Sequence, residues 1–227
     1  MNLPRFRLLS LAAMIVVAAF ALVGAVFTVS ASNGGAKGNG ASLERTERSV
    51  RFRADMRKLW EDHIIWTREF IVAFAANSGD QDEVAARLLA NQSDIGDAIK
   101  PYYGDDAGDA LTELLREHIL GAVALLQAAK AGDAQAFESA RVAWYSNGQE
   151  IAEFLNAANP QNWPLPVISH HMTMHLDLTL QEAAHRLAGD FQSDITDYDA
   201  VHHAILEMAD FLSLGIIHQF PKEFRGN

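Results

Sequence analysis

No cysteine occurs among the 227 residues. Disulfides, thiolate nucleophiles, iron–sulfur clusters and cysteine-based zinc sites are thereby excluded, while an oxidising compartment stays permitted because no thiol is at risk there. Positive charge is also scarce: 18 Lys and Arg stand against 29 Asp and Glu, for a net charge of −11 and a pI near 5.2. A nucleic-acid partner is therefore not expected, because phosphate-backbone affinity rests on clustered Lys and Arg. The basic residues between Arg45 and Lys58 alternate with acids. No segment alternates apolar and polar residues with the period of a strand, and no glycine-rich phosphate loop is present.

One long apolar run stands out. Arg5 and Arg7 precede Leu8 to Val29, a stretch of about 22 residues that is long enough to cross a bilayer. The following Val29-Ser30-Ala31 fits a cleavage site. Residues 1–32 are therefore expected to be a signal peptide or a transmembrane signal anchor. In either form the arginines before the run place the rest of the chain outside the cytoplasm, in the periplasm or at the cell surface. The membrane becomes a partner where the segment is retained. Residues 33–41, Asn-Gly-Gly-Ala-Lys-Gly-Asn-Gly-Ala, have no apolar pattern and read as a flexible linker. Residues 42–224 are expected to form one domain.

The domain reads as all-α, an antiparallel bundle of five or six helices. Ser42 is the expected N-cap of a first helix running to Ala76, with Phe52, Met56, Trp60, His63, Thr67, Phe70 and Phe74 inward. Arg68 and Asp62 fall on its expected outer face. Asp82–Ala90 and Ser93–Ile99 read as two short pieces stopped by Pro101, with Asn91 and Gln92 as caps or solvent contacts. A helix over Ala107–Ala131 carries Leu111, Leu115, His118, Ala122 and Leu125 inward. The next, bounded by Asp133 and Asn159-Pro160, carries Trp144, Asn147 and Ile151. A fifth ends near Gly189, and a sixth follows Ser193 and runs to His218 with Val201, Ile205, Met208 and Leu212 inward.

The fifth helix holds the densest chemistry, His170-His171-Met172-Thr173-Met174-His175. At 3.6 residues per turn, positions 171, 175, 178 and 182 share a face. Histidines therefore take inward positions on three helices, as His63, His118 and His175. A buried imidazole left without partners costs ~1–3 kcal/mol, and clustering or a metal ion relieves that cost. With imidazole and carboxylate donors and no thiolate, the candidate ions are zinc, iron, copper and manganese. The expected ligands are His63, His118 and His175, with Glu182 or Asp210 as the carboxylate and His171 or His203 as additional donors. Two alternatives stay open: a structural or interaction domain whose core histidines are only hydrogen-bonded, pH-responsive in one variant, and a metal-free acid/base enzyme.

Several phrases carry a resemblance. They are Leu59-Trp60-Glu61-Asp62-His63 with Trp66-Thr67-Arg68, Gly96 with Lys100-Pro101-Tyr102-Tyr103-Gly104, His175-Leu176 with Thr179 and Glu182, and Met208-Ala209-Asp210 with Gln219-Phe220-Pro221. Over Leu59 to Phe224 the chain resembles a group of largely uncharacterised bacterial all-helical proteins, often labelled glycosyltransferase or acetylglutamate kinase. The resemblance implies a helical fold and no mechanism. Asp197-Tyr198-Asp199 matches the Asp-x-Asp of metal-dependent sugar transferases, yet it opens a helix and no α/β nucleotide domain accompanies it.

Overall fold

A computed structural model describes residues 42–225. The expectations for residues 1–32 and 33–41 lie outside the described residues. Six long helices follow one another: α1 Glu47–Ala76, α2 Gln81–Tyr103, α3 Asp105–Ala131, α4 Ala134–Ala158, α5 Leu165–Ala188 and α6 Phe191–Gln219, with a single turn, α7, at Pro221–Phe224. There is no strand among the described residues. The connections are short, so consecutive helices pack antiparallel. Helix α6 returns to pack on α1 and closes the bundle, and α1 also touches α5 across the middle.

Local chemistry sets the ends. The Thr46 hydroxyl accepts from Ser49 N at 3.1 Å, so Thr46 rather than Ser42 caps α1. Asp133 and Asp190 cap α4 and α6 in the same way. Gly132 and Gly189 end α3 and α5 at φ 68° and 77°, where a Cβ would be strained.

Residues 81–103 form one helix, not two pieces. Asn91 and Gln92 do not cap anything; both are fully buried, with Asn91 Nδ2 donating to Leu59 O at 3.0 Å and Gln92 Nε2 to Leu88 O at 2.7 Å. Side-chain amides that find backbone acceptors inside a bundle remove the reason to break the helix. Pro101 removes one i→i−4 hydrogen bond without stopping the helix at once, and the helix ends three residues later at Gly104, whose N–H reaches Lys100 O at 2.9 Å. Helix α6 is long and apolar enough to cross a membrane by length and hydropathy, but 56% of its apolar window is buried in the bundle, and Val201, Ile205, Met208, Leu212 and Ile216 are core residues.

The core comes in two main parts. Toward the start of α1 lie Met56, Trp60, Ile64, Ile95, Leu115, Ile151, Ile168, Ile205 and Phe224. Toward its end lie Phe70, Ile71, Phe74, Leu88, Ile119, Leu126 and Ala183. Helices α2 and α3 cross where Gly96 and Gly108 face each other. A Cβ on Gly96 would stand 2.5 Å from the Gly108 carbonyl oxygen and 2.0 Å from Thr112 Oγ1. Helix propensity favours Gly96→Ala by ~1 kcal/mol, but a backbone carbonyl cannot step aside and overpacking costs ~1–3 kcal/mol. Gly96→Ala is expected to lower the urea midpoint, with a net loss of up to about 2 kcal/mol.

A buried imidazole layer and an adjoining charge network

Between the two cores lies a polar cross-section to which five helices contribute. Helices α1, α3 and α5 bring His63, His118 and His175, which are 2%, 3% and 4% exposed. The ring centroids of His63 and His175 are 5.7 Å apart, and those of His118 and His175 are 6.1 Å apart. Helices α2 and α4 add Gln92 and Asn147, one amide to each outer histidine.

The amides set the tautomers. Asn147 Nδ2 donates to Leu114 O at 3.1 Å, so its oxygen faces His118 and accepts from His118 Nδ1–H at 3.0 Å. The His118 lone pair is then on Nε2. Gln92 Nε2 donates to Leu88 O and lies 3.3 Å from both His63 Nδ1 and Asn91 Oδ1; when its second hydrogen goes to His63, Nδ1 accepts and the ring proton sits on Nε2. His118 also stacks on Trp144 at 5.2 Å, and Trp144 Nε1 donates to the His118 carbonyl at 3.0 Å. Four buried polar atoms of this region have no partner: His175 Nδ1, Gln92 Oε1, Thr179 Oγ1 and Trp60 Nε1, whose ring lies 5.9 Å from that of His63.

Burial keeps the layer neutral. Desolvation pushes His63 down to about 3, with His118 adding to the shift and the Gln92 hydrogen bond opposing it. His118 is pushed down to about 4 by burial against the support of Asn147. His175 is held well below its ordinary value by burial and then by its two imidazole neighbours.

The carboxylates proposed beside these histidines are engaged elsewhere. Glu182, 1% exposed, accepts from Arg68 at 2.6 Å. The same guanidinium donates to both oxygens of Asp194 at 2.7 and 3.0 Å, and Arg186 reaches Asp194 at 3.1 Å. Asp210 accepts from Arg53 and Arg57 at 3.2 and 2.7 Å. His171 is half-buried with its ring 5.1 Å from that of Phe211, and His203 is exposed, 3.2 Å from Glu207. Among the described residues no group of three or more His, Asp and Glu side chains is pre-assembled around one point as a metal cage. Arg68, placed by the sequence on an outer face, is instead the hub of a buried network. Arg68 was hard to find, since it lies beside the apolar stripe rather than in it. Gln92 and Asp194 were legible in retrospect: 88, 92, 95 and 99 make one stripe, and 194, 197, 201, 205 and 208 another.

Within the network, burial raises Glu182 to about 7 despite Arg68. Burial also pushes Asp194 upward, but Arg68 and Arg186 together outweigh it and leave Asp194 below its ordinary value. Comparison with known proteins returns no matching family model, curated protein or solved structure.

Two outcomes follow. The folded imidazoles titrate below their unfolded value, so their stability contribution is complete above pH ~6.5 and is lost as pH falls toward 4. In metal-free protein stability should therefore fall as pH drops from ~6.5 toward 4, and His175→Leu should make that fall shallower, as read by denaturant melts at stepped pH. Arg68→Met should cost up to about 3–5 kcal/mol by leaving Asp194 to Arg186 alone and Glu182 without a cation, whereas Glu182→Gln should cost far less at pH 7 because Glu182 already stands near its midpoint there.

Proposed function

We propose that this domain binds a transition-metal ion in its interior through His63, His118 and His175, and that it acts outside the cytoplasm. The observation that carries the proposal is a neutral trio from three helices, buried together, in which His175, the ring next to both others, has its Nδ1 unpartnered. Imidazoles sharing one zinc at ~2.0–2.1 Å per nitrogen hold their centroids about 5–6 Å apart. The observed spacings of 5.7 and 6.1 Å lie at the edge of that range. Three histidines suffice for zinc, and iron, copper and manganese accept the same donors. Because the carboxylates are spent on arginines, a fourth coordination position would be left to an outside ligand.

The surroundings fit in part. A ligating histidine normally donates its other N–H to an oxygen, as His118 does to Asn147. His63 does not: the Leu88 carbonyl, 2.7 Å from Gln92 Nε2, holds the amide with its nitrogen toward His63 Nδ1, so binding through His63 Nε2 would require turning the amide against that carbonyl. The extracytoplasmic setting is supported by Arg5 and Arg7 before the apolar run of residues 8–29.

A purely structural role has one observation in its favour: His63 and His118 already hold amide partners. The two roles separate in one experiment. Untagged protein is assayed for bound metals, then titrated with zinc, iron(II), copper and manganese while the melting temperature is followed. Metal binding predicts stabilisation of about 2.7 kcal/mol at a hundredfold excess over Kd, loss of that effect in His118→Ala, and tighter binding in Gln92→Glu. Protein that carries no metal and melts identically with every ion and with chelator would sink the proposal. In that case His175→Leu, which removes an unpartnered nitrogen, should be neutral or stabilising at pH 7.

A further inference from the structure

A partly open cavity of about 30 Å³ lies next to the imidazole layer. Its wall includes Thr67, Ala122 and Thr179, each four residues after His63, His118 and His175, so it begins one helical turn beyond all three. Trp144, which stacks on His118, forms another part of the wall, and Ala183 leaves the space on α5 open. Outside it, along α2 and α3, runs a groove of about 200 Å³. Cavity and groove share four wall residues, Phe70, Leu88, Ile119 and Val123.

The character of the wall selects the guest. A buried water needs 2–4 polar partners. The Thr67 hydroxyl is committed to the His63 carbonyl at 2.7 Å, which leaves Thr179 Oγ1, buried and partnerless, as the one free polar atom on the wall. No charged residue lines the cavity, so an ion would be desolvated without compensation. The volume excludes a ring or a metabolite.

We propose that this cavity binds a small uncharged molecule of diatomic size, such as dioxygen, admitted from the outer groove past Phe70, Leu88, Ile119 and Val123. A guest there lies one turn from the imidazole layer, against an almost wholly apolar wall. Binding requires no metal, so the cavity stands even where the interior histidines prove to hold none.

The test uses dioxygen as its own paramagnetic probe. The full chain, methyl-labelled and solubilised in detergent, is compared by NMR under oxygen and under nitrogen. Methyl groups of Ile71, Leu125, Leu126 and Ala183 should relax several-fold faster under oxygen than equally buried methyls in the other core, such as those of Leu155 and Leu212. A charged gadolinium chelate should leave the same methyls unaffected. Ala183→Val and, independently, Ala122→Val fill the space and should remove the excess relaxation while leaving the spectrum of the other core in place. Uniform relaxation across both cores, or an excess that survives both substitutions, overturns the proposal.

Discussion

The bundle is organised around the difficulty of keeping three imidazoles dry. Each of His63, His118 and His175 sits where water cannot reach it, and each must stay neutral because a buried charge without a partner is far costlier than a buried dipole. That constraint reaches outward. Gln92 and Asn147 must be present on the intervening helices and must hold their amide planes in one sense, which the Leu88 and Leu114 carbonyls ensure. Two helices thus spend interior positions on amides where leucine would bury more apolar surface. The layer also divides the hydrophobic core, so neither half packs as one continuous block.

The charge network on the far side solves a different problem. Glu182 and Asp194 are as buried as the histidines, yet here neutrality comes from pairing: Arg68 on α1 reaches α5 and α6 at once, and Arg186 completes the shell around Asp194. Tyr198 lies under the Arg68 guanidinium, 4.8 Å from its carbon, and shields it further. One helix, α5, carries both His175 and Glu182 two turns apart, with Thr179 between them. It is therefore the element on which the uncharged layer and the charged network are both aligned.

Much of the fold was legible in periodicity, because stripes such as Leu111, Leu115, His118, Ala122 and Leu125 leave no alternative to helices packed on one side. The placement of His63, His118 and His175 followed from the same stripes. What could not be read was the pairing of charges. Nothing local tells Glu182 whether its neighbour will be an imidazole or the Arg68 guanidinium, since that depends on how α1 and α5 are rotated about their axes. The break assigned near Asn91 and Gln92 failed for a related reason: polar side chains signal a loop only when no carbonyl inside the bundle awaits them, and Leu59 and Leu88 supply such carbonyls. Ser42 and Thr46 offered two hydroxyls before one helix, and only the position of α7 decides between them.

That last contact has a topological consequence. Thr46 Oγ1 donates to Phe224 O at 2.7 Å and Arg48 to Glu223 O at 3.3 Å, while Phe52 packs on Phe224. The first and last turns of the bundle are thus neighbours, and the six helices form a closed cycle opened at one point. Joining residues 46 and 224 through a short linker and cutting instead at Gly132-Asp133 would leave every helix with the neighbours it has now. The order in which the helices are strung along the chain is therefore separable from the architecture, and the imidazole layer would survive circular permutation.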